Sequence, residues 1–479
     1  MKLFFIITAL LFIESVNIYS QTIPSDTGHI NFVGNVTVTF IDSSRSNRNI
    51  SSLVYYPAVS EGNGAPVLQG NKYNIISFGH GFTLSPNLYV SLYRHLASWG
   101  YIVIAPSTET GFFPSHINFA RDLAFVIKDM KRKGKSTGDL FFDVTDSLFA
   151  GVFGHSMGGG CSFLAASIDT NIKAVSSLAA ANTNPSSISA ASLIKSPVQL
   201  LSGQRDSIAS YATNQLPHYS NAYPFRHIVN IFGGNHSQFH LIPGLDDLVD
   251  NPAAISRIEQ QRITKYYITS FFNLFLKNDT AYKKFLYGNI AESDTSVNFL
   301  YDNFYLNALI QGFYNNINGK MIKDTVKVYL RSTVTPYLKT DSAYSVINDS
   351  GYCALGFKNA NGNENYFLHL HHRNSIETWS KAGGLNFDLR RAGYNFTMDS
   401  SSAFGNNLVR KGQRFCIYGS DINQDGVSDL QDVVIADNDA YNFSSGYINS
   451  DLTGDMITDA DDLSLADNNA FLYVSKILP

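Results

Sequence analysis

The sequence predicts an α/β protein: a mostly parallel sheet covered by helices on both faces, then a strand-rich region and a short helical tail. Three observations carry this. Up to about residue 276, short apolar, β-branched runs alternate with stretches of helical period, the pattern of strand–helix–strand units. After about residue 300 the helical period largely disappears, and alternating runs lie between Gly, Asn and Ser turns. The last 60 or so residues carry an acidic repeat with a period of about 30.

Taken in order, the alternation Val36-Thr37-Val38-Thr39-Phe40-Ile41 reads as a first strand and 50–56, stopped by Pro57, as a second. A short apolar strand at 73–78 ends at Gly79-His80-Gly81-Phe82. A helix over 88–99, a buried strand over 101–105 closed by Pro106, and a helix over 117–130 follow, the last with Phe119, Leu123, Val126 and Met130 on one face. Further strands are expected at about 148–153, 172–178, 197–201 and 227–232, and a helix over about 255–276 closes the unit. Residues 303–418 read as a small β-sandwich. Within it the cluster His369, His371 and His372 reads as exposed strand residues, because alternation spreads the three over both faces and no acidic partner stands at fixed spacing.

The formal net charge of −4 gives no electrostatic footprint for nucleic acid or an anionic membrane. Met1-Lys2, an apolar run from Leu3 to Ile13 and Ser20-Gln21 after a polar stretch read as a signal peptide over 1–20, so export is expected. No later stretch is long and apolar enough to span a bilayer. Of three cysteines, Cys161 is expected to be a buried thiol, while a disulfide between Cys353 and Cys416 stays open on sequence alone.

The chemistry centres on Gly154-His155-Ser156-Met157-Gly158, which follows an apolar run. A serine on a sharp strand-to-helix turn needs glycines two residues to either side, where side chains would clash. The turn also sets the Met157 N–H at a helix N-terminus, facing developing negative charge. Gly134-Lys135-Ser136-Thr137-Gly138 matches the same pattern but follows the basic run Lys131-Arg132-Lys133, so it reads as a solvated loop.

A serine hydroxyl becomes a nucleophile only with a histidine to take its proton and a carboxylate to orient that histidine. In this architecture the order is Ser, acid, His, with the last two on loops after strands. Asp206 follows the strand at 197–201 and His236 follows the next, which nominates Ser156, Asp206 and His236. His218, His227, His240, Asp246 and Asp247 are the rivals, and neither aspartate follows a strand. The second oxyanion donor is expected to be the Phe82 N–H, paired with that of Met157; His80 reads as structural.

Residues 45–287 resemble the polyesterase-like cutinase and lipase family, which includes bacterial polyester hydrolases. The resemblance is carried by Val54-Tyr55-Tyr56-Pro57, Gly154-His155-Ser156-Met157-Gly158-Gly159-Gly160, Asp206-Ser207-Ile208-Ala209, Gly233-Gly234-Asn235-His236-Ser237 and Asn278-Asp279-Thr280-Ala281-Tyr282. It implies an α/β-hydrolase domain over 21–300 that cleaves carboxylic esters through an acyl-enzyme, with no cofactor at the active site. Family polyester hydrolases often place a tryptophan where this chain has Ala180-Ala181-Asn182-Thr183-Asn184-Pro185, and a cysteine where it has Ser237-Gln238-Phe239. Ester hydrolysis therefore carries over more firmly than polyester as the substrate.

In the tail, Asp421, Asn423, Asp425, Asp429 and Asp432 stand at positions 1, 3, 5, 9 and 12 of a loop, with Gly426 at the sharp turn and the Val427 carbonyl at position 7. Hard oxygen ligands at this spacing suit Ca²⁺. The repeat supplies Asp451, Thr453, Asp455, the Ile457 carbonyl, Asp459 and Asp462, with Met456 at the glycine position. Asp432 in place of a terminal glutamate makes residues 419–479 resemble a dockerin-like domain, which implies structural calcium and a cohesin-like scaffold as partner. The leading expectation is an exported serine esterase. An acetyl or feruloyl esterase of polysaccharide breakdown is the alternative, and a non-catalytic scaffold-attached protein on a hydrolase fold is the reading of another class.

Overall fold

The computed structural model describes residues 23–388 and 392–479; the signal peptide expected at 1–20 lies outside the described residues. Its largest feature is a ten-stranded sheet. The strands are β1 (Phe32–Asp42), β2 (Arg48–Ala58), β3 (Gly62–Asn63), β4 (Tyr73–Gly79), β5 (Tyr101–Pro106), β6 (Thr145–His155), β7 (Ile172–Leu178), β8 (Val198–Gly203), β9 (Arg226–Ile231) and β10 (Val297–Asp302). Their order in space is β10-β9-β8-β7-β6-β4-β5-β2-β1-β3. From β5 to β9 the pairings are parallel, while β2 and β10 meet this central block antiparallel.

Four long helices cover the sheet: α1 (Val90–Ser98), α2 (His116–Lys133), α3 (Met157–Ile168) and, after the short α4 (Ser187–Ala191) and α5 (Leu216–Asn221), α6 (Arg257–Phe275). Strand alternation sorts their partners. Ile75, Ile102, Ile104 and Val152 pack with Phe119, Leu123 and Phe163 of α2 and α3. Ile76, Val103 and Phe153 point the other way, to Leu92 and Leu96 of α1 and Tyr267, Phe271 and Phe272 of α6. Both faces are thereby buried, which is why the central strands read as continuous apolar runs. Ser115 and Ser256 start α2 and α6 by accepting the N–H groups of Asn118 and Glu259.

A short helix α7 (Asn289–Glu292) leads into β10. That strand is the one element of the sheet that the helix expected to close the unit at 255–276 leaves out. It runs directly into β11 (Phe304–Asn307), so the edge of the catalytic sheet and the strand-rich region are one continuous chain path. Asp302, at the junction, accepts from Tyr219 Oη at 2.8 Å and Arg226 Nε at 2.9 Å.

Beyond β11 and the hairpin of β12 (Tyr314–Asn315) and β13 (Lys320–Met321), the principal strands are β14 (Asp324–Ser332), β15 (Lys339–Ile347), β16 (Tyr352–Leu355) and β17 (Asn365–His372). β14 lies between β15 and β17, while β16 pairs β11. The histidine cluster differs from expectation. His369 and His372 are buried and His371 half-buried, and His369 and His371 share a face because they stand two residues apart. Cys161, Cys353 and Cys416 are all buried free thiols.

The tail forms two helices, α8 (Leu430–Tyr441) and α9 (Ala460–Phe471), whose contact buries Ala436 and Ala466 with Ile422 and Leu452. No helix among the described residues is long and apolar enough to cross a membrane.

Candidate active site

Ser156 stands between the last residue of β6 and the first of α3, at φ 53° and ψ −118°. A non-glycine residue held at positive φ is strained and persists only where its surroundings fix it. The fixing contacts are visible. Ser156 N–H donates to Leu178 O at 2.9 Å, and its own carbonyl accepts from Gly160 N and Ala181 N, each at 3.0 Å. The flanking glycines are steric requirements: a Cβ on Gly158 would lie 2.1 Å from Gly79 O, and one on Gly154 would lie 2.4 Å from Gly158 C. That contact also seats the end of β4, with Phe82 three residues beyond, against the first turn of α3, where Met157 lies.

Asp206 and His236 come from the loops after β8 and β9. Both are buried, with His236 Nδ1 2.9 Å from Asp206 Oδ2. The other oxygen, Asp206 Oδ1, accepts Ile208 N at 2.9 Å and Ala209 N at 2.7 Å, so the carboxylate cannot turn away from the ring. Gly203, at the end of β8, allows this approach, since a Cβ there would meet Asn235 N at 2.6 Å.

The residue before the serine links the parts. His155 is fully buried, with its ring centroid 4.6 Å from that of His236. Its Nε2 faces His236 O at 3.1 Å and must donate there, so Nδ1 accepts from Tyr89 Oη at 2.8 Å. Tyr89 Oη in turn accepts Gly81 N–H at 3.2 Å. One chain of hydrogen bonds thus runs from the turn before Phe82 to the backbone of His236. Burial, followed by the neighbouring His236 and His240, pushes the His155 imidazole well below its ordinary range, so it stays neutral.

Asp250 is the residue that sequence reasoning missed. Its Oδ2 accepts His236 N at 2.6 Å and Ser237 N at 3.1 Å, and its Oδ1 accepts Ser207 N at 3.0 Å. It therefore ties the acid loop to the histidine loop. It lies in an irregular segment with no motif, and only the fold brings it back. Beside it, Ser237 Oγ donates to Asp247 Oδ1 at 2.9 Å, and Arg257 pairs with the same carboxylate.

The rival residues are engaged elsewhere. His218 sits between Ser187 Oγ and Asn214 O, His227 against Gln199, and His240 on Asp246 at 2.9 Å. His80 is held between the carbonyls of Gly81 and Thr108, in line with a structural role. Phe82 is half exposed beside this turn. The stretch from Ala180 to Pro185 carries no aromatic residue; Ala180 and Thr183 are buried, and Asn182, Asn184 and Pro185 are exposed.

Among the described residues, two clusters each bring three metal-type ligand atoms within 4.8 Å: His369, His371 and Glu377, and His240, Asp246 and Asp247. In the first, Arg331 Nε donates to His369 Nδ1 at 3.0 Å, which puts the His369 proton on Nε2, 3.3 Å from Glu377 Oε2. A neutral imidazole whose Nε2–H faces the Glu377 carboxylate leaves no lone pair on Nε2 for a metal. In the second, His240 and Arg257 already satisfy the two aspartates.

The tail loops test differently. Asp432 and Asp462 each close a capping box at the start of their helix, on Asp429 and Asp459. Asn423 Oδ1 accepts Asp425 N at 2.9 Å, and Asp425 and Asp455 each accept the N–H two residues on, from Val427 and Ile457. Val427 pairs with Ser475 and Ile457 with Ser445, so each loop is bridged to the segment after the opposite helix. Asp421 is buried with Oδ1 lacking any hydrogen-bond partner. Burial, with Asp432 and Asp425 nearby, pushes its carboxyl up to about 7. Uncompensated negative charge of this kind fits a bound cation at the first loop.

A parallel sheet flanked by helices, with a serine on a strained strand-to-helix turn at its centre, defines an α/β-hydrolase-like enzyme. Residues 33–304 match the PET hydrolase-like family, and the chain belongs to that family, whose members are hydrolases acting on esters. A search of curated proteins finds no match.

Proposed function

We propose that the protein is an exported serine esterase in which Ser156, Asp206 and His236 act as a triad. His236 takes the Ser156 proton as Oγ attacks the ester carbonyl carbon, and Asp206 steadies the imidazolium. The oxyanion that forms faces the Phe82 and Met157 N–H groups; removing one such donor typically costs about 3 kcal/mol of barrier reduction. Collapse of this intermediate expels the alcohol, protonated by His236. Water, deprotonated by the same ring, then releases the acid from the acyl-serine.

The observation that carries this reading is the 2.9 Å contact of His236 Nδ1 with a buried Asp206, in a chain whose Ser156 is held at φ 53°. A fluorophosphonate probe tests it: labelling should map to Ser156 and be lost in Ser156→Ala together with ester turnover. An unlabelled protein, or Ser156→Ala with near-normal turnover, would favour the non-catalytic reading.

A second reading within the class is removal of acetyl or feruloyl groups from polysaccharide. It is favoured by the absence of an aromatic residue over 180–185 and by the dockerin-like tail. Rates on xylan acetate, short soluble esters and polyester film separate the two. We read residues 303–418 as a β-sandwich spacer and 419–479 as a dockerin-like module for a cohesin-like scaffold. Asp421, Asn423, Asp425, Val427, Asp429 and Asp432 would hold structural Ca²⁺, which neutralises the carboxylates of the first loop.

A further inference from the structure

We infer that the second loop of the tail is not a calcium site in this chain: Arg373 takes the cation's place there, so the module holds one Ca²⁺ and uses its second loop as a joint to the strand-rich region. This rests on the calcium reading of the first loop. The two loops share a sequence pattern and part in their bonding. In the first, Asp421 Oδ2 accepts Gly426 N at 3.1 Å and Oδ1 is buried without a partner, an acceptor that a cation would complete. In the second, the equivalent Asp451 has no vacancy. Its Oδ1 accepts Gly454 N at 2.7 Å, and its Oδ2 accepts Met456 N at 3.3 Å and Arg373 Nη2 at 3.0 Å.

Arg373 is built into place. It is the residue after β17, its Nε donates to Asp324 Oδ2 at 2.9 Å, and its Nη1 donates to Ile448 O. Its guanidinium faces the rings of Tyr447 at 4.6 Å and Phe313 at 5.3 Å, and Tyr447 Oη closes back on Asp324. The neighbouring Asn374 Nδ2 donates to Asp451 O at 2.7 Å. Asp451 has no exposed side-chain surface and Arg373 only 10%. A fixed guanidinium on a fully buried carboxylate supplies the charge compensation that Ca²⁺ supplies elsewhere, and a divalent ion beside it would meet like charge.

Two further positions of the second loop differ from the first. Thr453, whose hydroxyl is the unpartnered oxygen of the second loop, offers a poorer donor than Asn423. Met456, at φ 73°, stands in the left-handed conformation that Gly426 adopts in the first loop at φ 93°. By contrast, the cation that crosses the first loop, Lys476, is turned toward Glu377 at 3.8 Å.

Calcium titration of the full chain after chelation, followed by calorimetry, tests the inference, with hydrogen exchange as the second readout. One ion per chain is expected; Asp421→Asn should abolish binding and Asp451→Asn should keep it. Arg373→Met should raise exchange over 445–458 with calcium present, whereas chelation should raise it over 421–432. Two ions per chain, loss of an ion in Asp451→Asn, or unchanged exchange in Arg373→Met would overturn the inference. No binding at all would overturn the calcium reading beneath it.

Discussion

The Asp250 carboxylate accepts the backbone N–H of His236 at 2.6 Å, and its other oxygen holds Ser207, next to Asp206, at 3.0 Å. One side chain thereby sets the spacing between the loops that carry His236 and Asp206. Because it contacts only backbone and Ser207, its influence on chemistry acts through the placement of the imidazole.

Asp250→Ala should therefore lower kcat by roughly 10- to 100-fold on a soluble ester, the scale expected when a reacting group is displaced by about 1 Å. KM should change little, since Asp250 is not placed to touch substrate. Asp250→Asn, which keeps one acceptor oxygen, should fall between the two. A wild-type kcat in Asp250→Ala would show that the loops hold their spacing unaided.

Gly158 leaves no room for a methyl group: its Cβ would lie 2.1 Å from Gly79 O and 2.6 Å from His80 O, both backbone atoms. Gly158→Ala must push β4 from α3, and it should cost more than about 4 kcal/mol or prevent folding, as severe core strain does. Gly111, with nothing within 4 Å of a built Cβ, is the control. Gly111→Ala should melt within a degree or two of wild type in a thermal scan.

Much of the catalytic sheet was legible because both its faces are buried. The apolar run at 172–178 coincides with β7, and the runs at 73–78, 101–105 and 227–232 match β4, β5 and β9 to within a residue or two. The turn at Ser156 and the contact of Asp206 with His236 lie where the sequence places them, because each residue follows an apolar strand. β10 was not legible, since its alternating, partly exposed pattern resembles the strands beyond it and only pairing with β9 assigns it to the sheet. Asp250 and Tyr89 were not, because hydrogen-bond partners separated by irregular chain leave no period. The histidines of β17 were misjudged for a related reason: Glu377, which faces His369 and His371, comes from outside the strand.

Buried histidines contribute to the acid limit of the hydrolase unit, His218, held down to about 4 by burial, among them. Burial, aided by the charge of Lys265, pushes His95 down to about 3, and burial pushes His227 to about 3. Both folded values lie below the ordinary 6.5, so unfolding takes up protons. The stability these groups contribute is complete above pH 6.5 and is lost as pH falls toward 3. Each contributes a slope of at most about 1.4 kcal/mol per pH unit within that window. The melting temperature should fall steadily from pH 6.5 to 4. His95→Gln, which keeps a partner for Thr269 Oγ1, now 2.7 Å from the ring, should make that fall shallower. An unchanged acid limb in the variant would place the titrating groups elsewhere.

Tyr89 gives a test that separates stability from positioning. Its hydroxyl accepts Gly81 N–H at 3.2 Å and donates to His155 Nδ1 at 2.8 Å, and His155 holds His236 O at 3.1 Å. All of these groups are buried. Tyr89→Phe keeps the ring, with its contacts to Phe78 and His240, and removes only the hydroxyl. It strands one donor and one acceptor without water, which should destabilise the fold by about 1–3 kcal/mol. Its effect on turnover should be larger than this loss alone implies at temperatures where the variant is fully folded. Gly81 precedes Phe82, the proposed oxyanion donor, and His155 bonds the carbonyl of His236, the proposed base, so both ends of the proposed reaction centre loosen together. The expected signature is a kcat lowered about 10-fold or more with KM little changed, measured well below the melting temperature. If turnover in the folded variant matches wild type, the relay serves packing only, and the oxyanion turn is held by Gly79 against Gly158.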